Sequence, residues 1–122
     1  MDHMEKVRRL RASLDPHYNC CQSVLVAFAQ DMGITEEQAF ALGANFGSGM
    51  RCGSACGALT GALMVMGMTG CSPEQADAFR KQFREKHGDI SCAALLKASH
   101  DAGIPRKEHC DGLVFDVTQA LE

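Results

Sequence analysis

A helical spacing of apolar residues runs through nearly the whole chain, and it is the feature that most constrains the fold. No convincing run alternates in the way that a half-buried strand requires. Residues typical of helix N-termini occur at several points along this pattern. Asn19 is a helix cap, Thr35 and Gln38 form a capping box, and Ser72 precedes a proline. The sequence therefore predicts an all-α fold.

Seven helices follow from these signals, within a predicted bundle of six or seven. Their approximate bounds are 2–14, 20–32, 35–45, 52–70, 72–87, 90–102 and 105–121. The fourth carries no charge, and Gly53, Gly57 and Gly61 recur in it at a spacing of four, which favours close packing. We expect this hydrophobic, glycine-rich helix at the centre of a single domain spanning residues 1–122. Its glycines, threonines and serine disfavour the alternative, a membrane helix.

Composition and charge exclude several classes of protein. The 122 residues suit one domain, and 46% hydrophobic with 22% charged residues exclude a disordered chain. The 15 acidic residues outnumber the 12 basic ones, so we expect no nucleic-acid partner. The N-terminal segment is charged throughout and lacks the apolar core of an export signal. We therefore expect a cytoplasmic protein in a reducing compartment.

The chain contains seven cysteines: Cys20, Cys21, Cys52, Cys56, Cys71, Cys92 and Cys110. Four of them continue apolar stripes on four different predicted helices and so point inward: Cys20, Cys56, Cys92 and Cys110. For each one alone, packing as a small hydrophobic residue is the simpler interpretation. Together, four inward thiols suit a tetrahedral zinc ion or an iron–sulfur cluster, so these four are the candidate metal ligands.

Three cysteines are candidates for thiol chemistry. Cys20 follows the cap at Asn19, and Cys52 follows Arg51 at the predicted start of the fourth helix. Backbone N–H groups at a helix start favour a thiolate. Cys52 and Cys56 are four residues apart, and if the helix already begins at Cys52 they share one helix face, near enough for a disulfide or a shared metal. The candidate catalytic residues are Cys20, Cys52 and Cys56, and the expected chemistry is dithiol–disulfide exchange or electron transfer.

A glycine-rich run from Gly47 to Gly53 precedes the fourth helix and is a candidate anion site. A glycine-rich loop that enters a helix beside an arginine can hold a phosphate or a carboxylate. The candidate cofactor-binding residues are therefore Gly47, Gly49 and Arg51. The run follows no strand and matches neither nucleotide-binding fingerprint. A tight connection between helices is the alternative interpretation.

Several stretches, taken in order, match a known cysteine pattern. They are residues 19–24 (NCCQSV), 43–50 (GANFGSGM), 56–64 (CGALTGALM) and 83–88 (FREKHG), followed by Cys92 and Cys110. The chain from residue 19 onward resembles the redox-active protein family named for that pattern, C_GCAxxG_C_C. It departs from the named signature by one position, because Cys56 follows Ala55 and precedes a glycine. By position, the resemblance implies that the family's cysteines are Cys20, Cys56, Cys92 and Cys110.

Three hypotheses about function stay open. The first is a redox-active, thiol- or metal-dependent oxidoreductase or electron carrier that uses a redox partner protein. It would hold zinc or an iron–sulfur cluster if the four sulfurs converge on one point. It would use a dithiol–disulfide pair if only Cys52 and Cys56, or Cys20 and Cys56, approach each other. The second is a non-catalytic helical interaction module, such as a homodimer, whose cysteines only pack in the core. The third is a small-molecule binder that holds an anion in the 47–53 loop.

Overall fold

Local start signals set most helix boundaries in the computed structural model, which describes residues 2–122. The helices in chain order are α1 (His3–Ala12), α2 (Cys20–Ala27), α3 (Ala29–Met32), α4 (Glu36–Gly43), α5 (Gly57–Met68), α6 (Pro73–His87), α7 (Cys92–Asp101) and α8 (Arg106–Leu121). A single wide turn, Gly49–Gly53, precedes α5. No strand forms in the described part of the chain, so the all-α prediction is confirmed. The predicted count of six or seven is too low, because residues 2–122 form nine helical segments.

Capping boxes place three helix starts where the sequence predicts them. The Asn19 side chain accepts a hydrogen bond from the backbone N–H of Gln22 at 2.7 Å, and the Gln22 side chain accepts from the Asn19 N–H at 2.9 Å. The same reciprocal pair forms at the starts of α4 and α6. Each box satisfies two N–H groups that a helix start otherwise leaves without a partner. The start of α2 is thereby held in place, with Cys20 as its first residue.

One predicted helix is interrupted. The segment predicted as 20–32 divides into α2 and α3 at Phe28, whose backbone angles (φ −103°, ψ 11°) lie outside the helical range. Gly33, with φ 73°, ends α3 in the left-handed conformation that glycine adopts at little cost. This division accounts for part of the higher helix count.

The predicted helix 52–70 begins later than expected, at Gly57. Ahead of it, Ser48, Met50 and Arg51 have φ angles of 53°, 59° and 65°, so the chain winds left-handed there. A left-handed turn costs a residue with a Cβ about 1–2 kcal/mol. The surrounding contacts therefore impose this turn, and local sequence preference does not predict it.

Backbone pairing explains why the helix starts late. The Cys56 N–H donates to the Ile90 carbonyl at 2.8 Å, and the Cys92 N–H donates to the Ser54 carbonyl at 2.6 Å. This short antiparallel contact keeps the chain extended up to Cys56, which then caps α5. The prediction that Cys52 and Cys56 share a helix face is therefore wrong.

Helix α2 lies in the middle of the core. Every residue of α2 except Cys20 is buried, and the helix contacts α1, α4, α5 and α8. Helix α5 packs on it at Gly61, where a Cβ would stand 3.2 Å from both the Cys21 carbonyl oxygen and Val24 Cβ. The predicted central place of the glycine-rich helix is not confirmed, since α2 contacts helices on more sides. None of the helices within residues 2–122 combines the length and apolar character needed to cross a membrane.

Candidate functional site

A pocket of about 430 Å³ opens where four helices begin, and we call it the cysteine pocket. Cys20 is the first residue of α2, Cys92 is the first of α7, and Cys56 immediately precedes α5. Cys110 lies in the second turn of α8. All four cysteines that the helical spacing directs inward line this pocket. Its volume lies within the range of small-molecule sites, about 300–1,000 Å³.

Cys20 meets the start of α5 at Gly57. A Cβ at residue 57 would overlap the Cys20 Sγ atom and would stand 2.6 Å from the Phe46 carbonyl oxygen. Glycine is therefore required at this position, because no side chain fits. The Cys20 thiol consequently lies beside the residue that follows Cys56.

The antiparallel contact before α5 and α7 holds Cys56 and Cys92 on one side of the pocket. Ala55 and Ser91 stand opposite each other in this pairing. Adjacent residues of an extended chain point to opposite faces, so Cys56 and Cys92 share the face away from that pair. Ser91 strengthens the contact, because its Oγ donates to the Gly53 carbonyl at 3.2 Å while also capping α7.

Asp89 shapes the turn that leads into Cys92. Its Oδ1 accepts hydrogen bonds from the backbone N–H groups of Ser91 at 2.9 Å and Ile90 at 2.7 Å. These bonds favour the charged carboxylate, and they lower the pKa of Asp89 below its usual value. The carboxylate therefore holds the residues just before α7 in the conformation that pairs with Cys56.

Arg106 links the pocket wall in α8 to the glycine-rich run. Its Nη2 donates to Ser48 Oγ at 3.0 Å, and Cys110 lies one turn further along α8. Burial raises the pKa of Cys110, and charge on Cys20 adds to the rise, whereas the charges of Arg11 and Arg106 oppose it. Arg106 is therefore a positive group that favours the thiolate form of Cys110.

Burial also raises the pKa values of the two remaining thiols. The pKa of Cys56 rises to about 12 because the side chain is buried, with backbone N–H groups of α5 opposing the rise and charge on Cys20 adding to it. Burial raises the pKa of Cys92 as well, and the charges of Cys20 and Cys110 contribute. Negative charge on Cys20 thus raises the pKa of each of the other three pocket thiols. The pocket favours one thiolate at a time.

Basic side chains from both ends of the chain line the same pocket. They are Arg11 from α1 and Arg106 and Lys107 from the start of α8. No aspartate or glutamate of the described chain is part of the lining. Sequence reasoning missed these residues, because α1 and α8 lie at opposite ends of the chain. One signal was available: Arg106 precedes Cys110 by four positions, which puts both on one helix face.

Arg11 and Lys107 share a carboxylate that lies outside the lining. Arg11, only 7% exposed, donates from Nε to Asp111 Oδ1 at 2.7 Å and from Nη1 to the Tyr18 carbonyl at 2.8 Å. Lys107 Nζ donates to Asp111 Oδ2 at 2.8 Å. Burial alone would raise the pKa of Asp111, but the hydrogen bonds from Lys107 and Arg11 bring it below its usual value. This network ties α1 to α8 at the pocket.

The other three cysteines do not line the pocket. Cys21 is fully buried in the core, Cys52 is exposed on the Gly49–Gly53 turn, and Cys71 is half-buried beyond the end of α5. All seven cysteines are free thiols. Across residues 2–122, no three histidine, cysteine, aspartate or glutamate side chains are gathered as ligands of a single metal ion.

The glycine-rich run contributes one residue, Ser48, to the pocket lining. Gly47, Gly49 and Arg51, which the sequence nominates as anion ligands, are not part of that lining. Gly47 packs against the side chain that caps α2, and Gly49 leaves no room for a Cβ beside Cys92. Arg51 is exposed and donates to the Asn45 side chain at 3.3 Å. The two glycines therefore serve close packing.

Comparison with models of known protein families gives a match over most of the chain. The family model described as "Putative redox-active protein (C_GCAxxG_C_C)" matches residues 18–122. The chain belongs to the C_GCAxxG_C_C family. The match covers all four pocket cysteines of this C_GCAxxG_C_C protein, and it confirms the resemblance seen in the sequence. No match was found among curated proteins or among solved structures.

Proposed function

We propose that this chain is a thiol–disulfide redox protein whose reactive pair is Cys20 and Cys56. The observation that carries the proposal is the contact of the Cys20 thiol with the backbone of Gly57, the residue after Cys56. A disulfide requires that two cysteines approach closely without large backbone movement. Both side chains also line a pocket that a small substrate can enter.

Cys20 suits the attacking role, and Cys56 suits the resolving role. Cys20 is half-buried at the first position of α2, so a substrate that enters the pocket can reach it. Cys56 is 4% exposed, and its raised pKa keeps it protonated at neutral pH. A thiol attacks as its thiolate, so the buried and protonated Cys56 reacts second.

The proposed step converts a disulfide substrate, R–S–S–R, into two thiols. The Cys20 thiolate attacks one substrate sulfur, the S–S bond breaks, and the first R–S⁻ leaves and takes up the proton that Cys56 releases. Cys56 Sγ then attacks Cys20 Sγ in the mixed disulfide and expels the second R–S⁻, which takes a proton from solvent. The two cysteines lose two electrons, and the substrate gains them. A redox partner protein or a small thiol would return the pair to the reduced state.

Peptide mapping without reductant tests the reactive pair. Reduced protein is treated with hydroxyethyl disulfide, quenched in acid and digested, and we expect a peptide that joins Cys20 to Cys56. In the Cys56→Ser variant, we expect Cys20 to accumulate as the mixed disulfide. The matched control is Cys71→Ser, which removes a thiol outside the pocket lining and should leave the Cys20–Cys56 peptide unchanged.

The same experiment tests Cys52, the third candidate catalytic residue from the sequence. Cys52 is exposed and lies outside the pocket lining, so we expect the Cys52→Ser variant to form the Cys20–Cys56 disulfide at the normal rate. A peptide that joins Cys20 to Cys52 instead would assign the resolving role to Cys52. Absence of any disulfide among the pocket cysteines would overturn the proposed function.

The four cysteines that line one pocket suggest a second candidate function, binding of zinc or an iron–sulfur cluster through Cys20, Cys56, Cys92 and Cys110. It would require these thiols to move together, because within residues 2–122 they are not gathered as ligands of one metal ion. Metal and acid-labile sulfide analysis of anaerobically purified protein tests it. Stoichiometric metal that is lost in both Cys92→Ser and Cys110→Ser variants would support this function. Metal-free protein that forms the Cys20–Cys56 disulfide would support the first proposal.

A further inference from the structure

We infer that the cysteine pocket selects small disulfides that carry carboxylate groups, and that Arg106 is the residue that binds the carboxylate. The inference rests on the proposed function, because it names the substrate class of the same site. It is carried by the charges around the pocket, by the free donors of Arg106 and by the size of the cavity that Cys20 lines.

The charges around the pocket are positive, although the chain as a whole has a net charge of −3. Arg11, Arg106 and Lys107 line the pocket. Asp111 is the one carboxylate that pairs with any of them among residues 2–122, and it is shared by Arg11 and Lys107. Two positive charges are therefore left without a balancing carboxylate. A pocket of one sign concentrates ligands of the opposite sign.

Arg106 is the cation best placed to bind a carboxylate. Its hydrogen-bond partner is Ser48 Oγ, and within the described chain no carboxylate pairs with it. A guanidinium has five N–H donors in a planar fork that matches a carboxylate with two parallel hydrogen bonds. Arg106 is also exposed, so its remaining donors are available to a ligand.

The N-terminal ends of four helices add to the positive potential in the pocket. Cys20, Cys92 and Arg106 are the first residues of α2, α7 and α8, and α5 begins at Gly57 beside the same cavity. The N-terminal end of a helix carries a partial positive charge from its unpaired N–H groups. A carboxylate held at Arg106 would therefore lie in a favourable potential while the disulfide bond reaches the thiols.

The cavity around Cys20 sets the size of the substrate that the pocket can enclose. Cys20 is half-buried, and the cavity that it lines has a volume of about 430 Å³. A cavity of that size admits a small molecule. A small disulfide can enter it and place a carboxylate at Arg106 while one of its sulfurs reaches Cys20, whereas a disulfide on the surface of a folded protein cannot enter it. The substrate class is thus a small disulfide compound bearing carboxylates.

The test compares three small disulfides that differ in charge: dithiodipropionate with two carboxylates, neutral hydroxyethyl disulfide, and cystamine with two ammonium groups. For each disulfide, the rate at which it oxidises Cys20 and Cys56 is divided by the rate at which the same disulfide reacts with free 2-mercaptoethanol. This ratio removes differences in the intrinsic reactivity of the three disulfides. We expect dithiodipropionate to exceed cystamine by about tenfold at low salt, with the preference shrinking as ionic strength rises.

Substitutions at Arg106 test whether this residue causes the preference for the disulfide that carries carboxylates. We expect Arg106→Gln to lower the ratio of the dithiodipropionate rate to the hydroxyethyl disulfide rate by about fivefold, because the bidentate partner is lost. Arg106→Lys should restore only part of the ratio, since an ammonium is a point charge. The matched control is Lys81→Gln, an exposed cation on α6 outside the pocket lining, which should leave the ratio unchanged.

Binding of suberate separates this inference from the proposed function, because suberate is a dicarboxylate of the same length as dithiodipropionate with no disulfide bond. Oxidation by hydroxyethyl disulfide without charge preference and without suberate binding would overturn this inference and leave the redox function standing. Suberate binding that depends on Arg106, in a protein that no disulfide oxidises, would support the anion site and overturn the redox function.

Discussion

The Cys20 Sγ atom occupies the space that a Cβ at residue 57 would fill, and Gly57 is therefore the residue that lets α2 and α5 meet at the pocket. We expect Gly57→Ala to lower the free energy of unfolding by about 1–3 kcal/mol, because the added methyl group has no space. It should also change the rate at which Cys20 reacts with a disulfide. Chemical denaturation and the oxidation assay measure the two effects.

Gly67 provides the control for that change in the same helix. A Cβ at Gly67 meets nothing within 4 Å, so Gly67→Ala should stabilise the protein by about 0.5–1 kcal/mol through helix propensity alone. Equal effects of the two substitutions on stability would contradict the tight contact at Gly57.

The free energy of unfolding should fall as the pH rises above 9. Burial raises the pKa of Cys21 from 9.0 to about 12, and that of Cys56 by a similar amount. Between these values the folded state holds protons that the unfolded chain releases, so each group removes about 1.4 kcal/mol per pH unit. The stabilising effect is complete below pH 9 and is lost as the pH approaches 12.

Urea unfolding between pH 8 and 10.5 under reducing conditions measures this dependence. The Cys21→Ala variant should show a shallower slope than the parent protein above pH 9, because one of the buried thiols with a raised pKa is gone. Cys71→Ala serves as the control. A parent curve that is flat across this pH range would show that the two thiols titrate as in the unfolded chain.

Removing the cap at Ser91 should expose Cys92. Ser91 caps α7 and donates to the Gly53 carbonyl, and these bonds hold the segment that places Cys92 in the pocket. We expect Ser91→Ala to lower stability by about 1 kcal/mol and to speed the alkylation of Cys92. Ser72→Ala removes the equivalent cap of α6, so it should cost similar stability and leave Cys92 alkylation unchanged. Peptide mapping of timed iodoacetamide reactions distinguishes the two variants.

The native thiols should react in an order set by exposure. Cys52 is exposed, whereas Cys21 is 0% exposed and Cys56 is 4% exposed. We expect Cys52 to be alkylated first at pH 8, Cys56 to react more slowly through the pocket, and Cys21 to react only when the chain unfolds. Mass spectrometry of partly alkylated protein reads out the order. Early labelling of Cys56 ahead of Cys52 would contradict the burial of the resolving thiol.

Much of the fold follows from local sequence, and the helix starts show why. At Asn19, Thr35 and Ser72, the cap and its partner lie three residues apart, so their hydrogen bonds form wherever the rest of the chain goes. The apolar stripes that carry Cys92 on α7 and Cys110 on α8 likewise follow from helical spacing within each segment. These features need no knowledge of distant contacts.

The late start of α5 and the positive charge around the pocket cannot be predicted from local sequence. The extended chain before Cys56 depends on its pairing with Ile90, and the left-handed turn at Met50 precedes that pairing. Arg11 is held in the pocket wall by Asp111, which lies 100 positions further along the chain. The local sequence around Cys56 does not identify Ile90 as its partner, and the local sequence around Arg11 does not identify Asp111.

The sequence by itself determined that this protein is helical and where most of its helices begin, because caps and periodicity act within one or two helical turns. Only the tertiary structure decided that four of the cysteines share one pocket while Cys21 is buried in the core, that Cys20 lies beside Gly57, and that Arg106 pairs with no carboxylate among residues 2–122. Those relationships join segments far apart in the chain, and close packing of the folded core selects them.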